Sequence, residues 1–179
     1  MFVLPVDDEV ELVLAEERHA EEVSAVITRN QERLARWEPW AQYPATPEAV
    51  RRFIRACLDG FAAGSQAQTY VRVGGRLVGA CGLRLHGLPG VGEVGYWLDA
   101  EHEGRGIASR AVGALVGAGF RERRLARVEL RTSVDNVRSH ALAERLGFHR
   151  EGILRNAQAF SDRRVDMAIY AVLAREWRG

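Results

Sequence analysis

The sequence contains no lysine: all 25 of its basic residues are arginine, and they stand against 24 acidic residues. The formal net charge of +1 gives no excess of either sign, which argues against a partner such as nucleic acid or an anionic membrane. The absence of lysine also excludes the G-K-[ST] phosphate loop of nucleoside triphosphatases.

Cysteine is scarce and long apolar runs are missing. The two cysteines, Cys57 and Cys81, lie far apart without metal-ligand spacing, and each falls in an apolar pattern. They are therefore predicted to be reduced core residues, and neither a metal site nor a cysteine nucleophile is expected. No run approaches membrane-spanning length, and the first ten residues lack the pattern of a signal peptide. We expect a cytoplasmic protein with no membrane partner.

The composition is that of an ordinary globular protein, with 47% hydrophobic and 27% charged residues in a chain of 179. We predict one domain over residues 1–179. Helical periodicity predicts helices at 18–28, 46–61 and 107–121, and a short one that Asp135 or Asn136 caps and that runs to 146. Period-two patterns predict strands at 11–15, 69–73, 76–85, 93–99, 127–133, 148–154 and 165–173.

One strand, glycine-loop, helix, strand unit lies inside an otherwise antiparallel series. The predicted fold class is therefore α+β, a mixed and mostly antiparallel sheet with one parallel strand pair and flanking helices. The glycine loop is Gly104-Arg105-Gly106, directly before a helix. Such a loop curls successive N–H groups towards one point, where the helix N-terminus adds partial positive charge suited to a pyrophosphate. The dinucleotide-binding fingerprint fits poorly, because Ser109 stands at its third glycine.

A second polar feature follows the next strand, where Asn136 and Ser139 stand at a helix start. Helix capping explains both residue types, with Asn136 as the cap and Ser139 bonded within the first turn. A role in ligand binding is the other interpretation. This helix and the helix after the glycine loop follow adjacent parallel strands, so their first turns would face one cleft.

Taken together, these segments resemble the GNAT N-acetyltransferases, and specifically their RimJ/RimL-like branch, which acetylates the N-termini of ribosomal proteins. The resemblance covers nearly the whole chain. Three central segments match family features: "EVGYWLD" matches the fourth strand, "EGRGIA" the pyrophosphate motif, and "DNVRSHALAERLGF" the Asn-x-x-Ser helix. The N-terminal "RNQERLARWEPW" and the late "EGILRNAQ" and "VDMAIYAVL" are similar to the RimL branch.

The resemblance implies acetyl-CoA as co-substrate and direct attack by an amine, without an acyl-enzyme. It implies that the pyrophosphate binds along the motif, that a strand edge pairs with the pantetheine arm, and that Asn136 bonds that arm. Ser139 would protonate the departing thiolate. The implied cofactor-binding residues are Tyr96, Trp97, Leu98, Glu103, Gly104, Arg105, Gly106, Ile107, Ala108, Ser109, Asn136 and Ser139.

The chain departs from the family pattern at three positions. Glu103 stands where Gln or Arg is usual, and we expect its side chain to point away from the phosphates or to weaken their binding. Ala143 replaces the tyrosine that many GNAT enzymes use as acid. RimL-like enzymes can carry an acidic base where this chain has Gln158, which is a poor proton acceptor near neutral pH. Glu93 is the candidate base by position, although a solvated charge at the strand edge explains it equally simply. We favour a water-mediated route with Glu93 as a polarising neighbour.

The acceptor is the least determined feature. Trp37 and Trp40 flank Pro39, and they either anchor that loop on the core or form a wall of the acceptor groove with Gln158. The resemblance implies a protein N-terminus as the acceptor. An α-amino group is less basic than a lysine side chain, so a weak base or a water relay suffices, which fits the missing acid at Gln158. Two alternative functions stay open: acetyl transfer to a small amine such as a polyamine or an aminoglycoside, and a catalytically silent CoA-binding module. The sequence also leaves open whether the chain forms a homodimer.

Overall fold

The structure is a computed structural model that describes residues 3–85 and 89–179. Part of the predicted loop at 86–92 lies outside these residues. The strands form one eight-stranded sheet in the order β1-β2-β3-β4-β5-β6-β8-β7. The strands are β1 Val3–Pro5, β2 Val10–Leu14, β3 Gln66–Val73, β4 Arg76–Leu85, β5 Val91–Leu98, β6 Arg127–Ser133, β7 His149–Ala159 and β8 Arg164–Leu173.

Four α-helices of the described chain cover the sheet: α1 Ala20–Ala35, α2 Pro47–Ala62, α3 Ile107–Glu122 and α4 Val137–Arg145. The Thr46 hydroxyl accepts a hydrogen bond from the Ala49 amide at 3.2 Å, and Pro47 occupies the first turn, as the sequence predicts. None of the helices in the described ranges is long and apolar enough to cross a membrane.

The two faces of the sheet carry separate apolar layers. One layer packs α3 residues such as Val112 and Val116 against β5, β6 and β8. The other packs Val23 of α1 and Ile54 of α2 against β3 and β4. Both cysteines are buried and free, as predicted.

The parallel pair is the feature that shapes the site. β5 and β6 run parallel, but they pair only from Val91 with Arg127 to Glu93 with Glu129. Beyond Glu93 the two strands separate, whereas β5 remains paired with β4 up to Leu98. One edge of the second half of β5 is therefore left open, and the predicted α+β fold with one parallel strand pair is confirmed.

The three largest differences from the prediction lie at α1, β1 and β7. The first helix was expected to end at residue 28, but α1 continues to Ala35. The strand β1 was not predicted, since three residues that end in Pro5 carry little pattern. β7 continues to Ala159 through a register shift around Asn156, which has a φ of 56°.

Candidate active site

A cleft of about 2210 Å³ opens where β5 and β6 separate. Its walls come from the segment between α1 and α2, the second half of β5, the glycine loop with the start of α3, the start of α4, and β7. Every residue that the sequence analysis singled out for the site lines this cleft. Among the residues that the structure describes, no group of His, Cys, Asp and Glu side chains could hold a metal ion.

The glycine loop adopts the curled conformation that the sequence predicts. Gly104 and Gly106 have φ values of 75° and 72°, a left-handed region that costs a glycine little. A Cβ built on either residue meets nothing within 4 Å, so the space in front of the loop is open. Gly106 is the N-cap of α3 and offers no capping side chain, which leaves the first amide groups of the helix for a ligand.

Glu103, just before this loop, is held between two arginines. Its Oε1 accepts a hydrogen bond from Arg33 of α1 at 2.6 Å, and its Oε2 pairs with Arg138 of α4. Both arginines offset the carboxylate charge, so Glu103 is not an isolated negative charge next to the loop. The side chain is engaged by α1 and α4, and its predicted effect on phosphate binding stays a prediction.

Two hydrogen bonds show which backbone groups of β5 face its open edge. The Asp99 amide donates to the Val78 carbonyl at 2.7 Å, so the backbone groups of Asp99 face β4. Because these groups alternate along a strand, those of Leu98 and Tyr96 face the opposite, open edge. Consistently, the Leu98 carbonyl accepts a hydrogen bond from the Arg33 guanidinium rather than from β4.

A buried polar network fixes this end of β5 to α1. Asp99 is 1% exposed and accepts hydrogen bonds from Arg29 at 2.5 Å and from Asn30 at 2.7 Å. Burial opposes the ionisation of Asp99, but these hydrogen bonds outweigh it and lower the pKa of the carboxyl group. The Asn30 side chain also accepts from the Ala100 amide at 3.0 Å. The strand end that precedes the glycine loop is therefore held rigidly.

The start of α4 brings Asn136, Ser139 and an unpredicted partner together. Asn136 is the N-cap, and its Oδ1 accepts from the Ser139 amide at 3.2 Å, so the capping interpretation holds for that oxygen. The Tyr96 hydroxyl donates to the Ser139 hydroxyl at 3.1 Å. Burial raises the pKa of Tyr96 to about 12, so the phenol keeps its proton near neutral pH. Ala143, at the position where many GNAT enzymes have a tyrosine, is fully buried.

The aromatic segment between α1 and α2 forms a wall of the cleft. Trp40 is 41% exposed, and its ring lies 6.3 Å from the ring of Trp97 on β5. The Arg36 guanidinium stacks over Trp37 at 4.8 Å. Trp40 is therefore not a core anchor, and both tryptophans line the cleft.

Glu38, between these tryptophans, is a cleft residue that the sequence analysis missed. The Trp40 indole N–H donates to its Oε2 at 2.9 Å. Removal from bulk water raises the pKa of this carboxyl to about 7, and the indole hydrogen bond only partly opposes that rise. The pattern "RWEPW" contains the residue, but only the folded cleft creates its environment.

The two other polar candidates also lie at the cleft. Glu93 lies 3.3 Å from the Arg131 guanidinium, in an ion pair between β5 and β6. Gln158 lies on β7, opposite Val165 of β8, and its Nε2 donates to the Ala159 carbonyl at 3.2 Å. Their predicted roles stay predictions.

The cleft and its fold were compared with known proteins. The family model described as "Acetyltransferase (GNAT) domain" matches residues 9–149. The putative ribosomal N-acetyltransferase YdaF of Bacillus subtilis is 33% identical, over 100% of this chain and 99% of that protein. The ribosomal-protein-serine acetyltransferase of Escherichia coli is 29% identical, over 94% of each protein.

A solved structure shares the architecture. It is that of RimL, a ribosomal-protein α-N-acetyltransferase, in complex with coenzyme A. It superposes with a TM-score of 0.91 at 25% identity, and it covers 96% of this chain and 98% of its own.

Proposed function

This chain belongs to the GNAT acetyltransferase family, and we propose that it transfers the acetyl group of acetyl-CoA to the N-terminal α-amino group of a ribosomal protein. The observation that carries the proposal is one continuous path through the cleft in which the coenzyme and the reacting groups would lie. It runs from the glycine loop along the open edge of β5 to the hydroxyl pair of Ser139 and Tyr96. The family membership makes the chain an N-acetyltransferase; the acceptor and the residue roles below are proposals.

The glycine loop suits the pyrophosphate of acetyl-CoA. Its two left-handed glycines and the uncapped start of α3 offer backbone N–H groups to an anion, and no Cβ stands in front of them. The amides from Gly104 to Ser109 would bind the phosphate oxygens. Glu103 is neutralised by Arg33 and Arg138, so its charge would weaken this binding less than a free carboxylate would.

The open edge of β5 suits the pantetheine arm. Its amide groups would pair with the outward-facing backbone of Tyr96 and Leu98, as an added strand does. The side-chain oxygen of Asn136 accepts the capping hydrogen bond, so its Nδ2 group would donate to a carbonyl of that arm.

The transfer itself requires an oxyanion donor and a proton for the leaving thiolate. The Leu98 amide faces the open edge, whereas the alternation turns that of Trp97 towards β4, so Leu98 is the better placed oxyanion donor. Ser139 would protonate the thiolate. Because Tyr96 donates to the serine oxygen, the serine proton is left free to point at the sulfur.

The acceptor would enter between the aromatic wall and β7. Trp37, Trp40 and Gln158 line that side of the cleft. The cleft volume of about 2210 Å³ exceeds the roughly 300–1,000 Å³ of ordinary ligand pockets, which leaves space for a peptide chain beside the coenzyme. The relatives that are named as ribosomal-protein acetyltransferases support this class of acceptor. A ribosomal acceptor would place the reaction in the cytoplasm.

A substrate panel tests the proposal. Thiol release from acetyl-CoA is measured with N-terminal peptides of ribosomal proteins, with polyamines and with aminoglycosides. We expect the highest kcat/KM with one of the peptides. A higher kcat/KM for a polyamine or an aminoglycoside would reject the ribosomal acceptor, and no turnover with any amine would favour a silent CoA-binding module.

A further inference from the structure

Glu38 is held in a fixed backbone position at the acceptor side of the cleft. Its amide donates to the Leu34 carbonyl at 2.8 Å, and its carbonyl accepts from the Ala41 amide at 3.0 Å. Its φ and ψ of −116° and 109° are extended and unstrained. The carboxylate therefore does not rely on a mobile loop for its position.

The surroundings of this carboxylate are aromatic. The Trp40 indole donates to Oε2, and the Trp40 ring faces Trp97 of β5. Within residues 3–85 and 89–179, no other side chain donates a hydrogen bond to Glu38, so Oε1 is open to a ligand in the cleft. A carboxylate that lines the acceptor side of the cleft and keeps one oxygen without a hydrogen-bond donor is suited to receive an ammonium group, because the opposite charges attract.

The charged groups near Glu38 do not neutralise it. Arg33 is engaged with Glu103 and the Leu98 carbonyl, and Arg36 stacks over Trp37. Across the cleft, Tyr96 is the ionisable group that senses the Glu38 charge, which contributes to the raised pKa of the phenol. Tyr96 is neutral near pH 7, so it adds no charge opposite Glu38.

The other acidic side chains that line the described cleft are paired with arginine or exposed to solvent. Glu93 is paired with Arg131, and Glu103 is paired with two arginines. Asp135 is exposed to solvent at the start of α4. Among these four side chains of the described cleft, Glu38 alone is half-buried without an arginine partner.

We infer that Glu38 is the general base of this enzyme: it accepts a proton from the acceptor ammonium where the chain lacks an acidic residue at position 158. The inference rests on the proposed acetyl transfer to an amine. A carboxyl with a pKa of about 7 has a basicity matched to this task near neutral pH, because about half of it is ionised there and it is more basic than an ordinary carboxylate.

The proton balance is as follows. The ammonium gives one proton to Glu38, which later releases it to water, and the free amine attacks the thioester carbonyl. A C–N bond forms and the C–S bond breaks. Ser139 gives its hydroxyl proton to the thiolate, and the second amine proton restores that hydroxyl. The products are the acetylated amine, free CoA thiol and one proton in solution.

The test compares Glu38→Gln with Glu93→Gln in the full-length enzyme. The acceptor is whichever amine the wild type turns over best, so a preference for polyamines would reject the ribosomal acceptor without affecting this comparison. We expect Glu38→Gln to lower kcat/KM on the order of a hundredfold and to abolish the acidic limb of the pH–rate profile near pH 7. Acetyl-CoA affinity by calorimetry should be unchanged, and Glu38→Asp should recover part of the activity. Glu93→Gln should keep the acidic limb.

Trp40→Phe supplies a second measurement. It keeps an aromatic ring but removes the indole donor that stabilises the ionised carboxyl, so the acidic limb should move to higher pH. Trp37→Phe, which removes no bond to Glu38, should leave the limb in place. An unchanged kcat/KM and pH profile in Glu38→Gln, or loss of the limb in Glu93→Gln instead, would overturn the inference.

Discussion

The Tyr96 hydroxyl donates a hydrogen bond to the Ser139 hydroxyl at 3.1 Å, and this bond joins β5 to the first turn of α4 across the cleft. It occupies a lone pair of the serine oxygen and leaves the serine proton free. The tyrosine that many GNAT enzymes use as acid is absent from α4, and here a tyrosine from β5 approaches the same region of the cleft.

Ser139→Ala should lower kcat at least tenfold and change acetyl-CoA affinity much less, because a proton donor to the thiolate acts mainly in the transition state. Tyr96→Phe should lower kcat by a smaller factor, since the serine keeps its proton but loses its orientation. Steady-state kinetics with calorimetric binding measures both. Tyr70→Phe is the matched control, because Tyr70 is a buried strand tyrosine whose hydroxyl has no partner among the described residues. Equal losses of kcat and affinity in Ser139→Ala would assign the serine to helix capping.

Gly106→Ala should weaken acetyl-CoA binding tenfold or more. The new Cβ would enter the open space in front of the loop, where the pyrophosphate must approach the backbone. Gly64→Ala is a matched control, because Gly64 has a φ of 73° and equally open surroundings but lies outside the cleft. Both variants should lose similar thermal stability from the strained backbone. Calorimetric titration with CoA separates them, and equal affinities would contradict the pyrophosphate assignment.

Replacement of Trp37 or Trp40 by Ala should raise the KM for a peptide acceptor and change the KM for acetyl-CoA little. Both side chains line the acceptor side of the cleft, and Trp40 is too exposed to be a core residue. Steady-state kinetics with each substrate varied in turn is the measurement. A lower melting temperature with unchanged KM values would instead show that the tryptophans only anchor the segment.

Glu38→Gln should stabilise the protein at alkaline pH. A folded-state pKa of about 7, above the usual 4.5, means that ionisation disfavours the folded state. The penalty is absent below about pH 4.5, grows between pH 4.5 and 7, and then stays constant at roughly 3 kcal/mol. Thermal melts of Glu38→Gln and wild type should coincide at low pH and diverge above neutral pH, with the variant melting higher. Parallel curves at every pH would contradict the raised pKa.

The sequence predicts the sheet, the parallel pair and the cofactor side of the cleft, because glycine loops, caps and period-two strands are local signals. It misses the last two turns of α1, since those polar residues are held by Asp99, Glu103 and the Leu98 carbonyl rather than by an apolar stripe. It also misses Glu38 as a titratable group. That environment depends on the folded cleft, in which Trp97 of β5 lies near Trp40 although the two are distant along the chain.

One competition experiment tests the central claim most directly. A lysine-free peptide with the N-terminal sequence of a ribosomal protein is compared with the same peptide blocked by a formyl group and extended by a C-terminal lysine. Acetylation of each is followed by mass spectrometry in the presence of acetyl-CoA. The account predicts rapid acetylation of the free α-amino group and negligible acetylation of the blocked peptide. Preferential acetylation of the lysine side chain, or none of either peptide while a small amine is turned over, would contradict it.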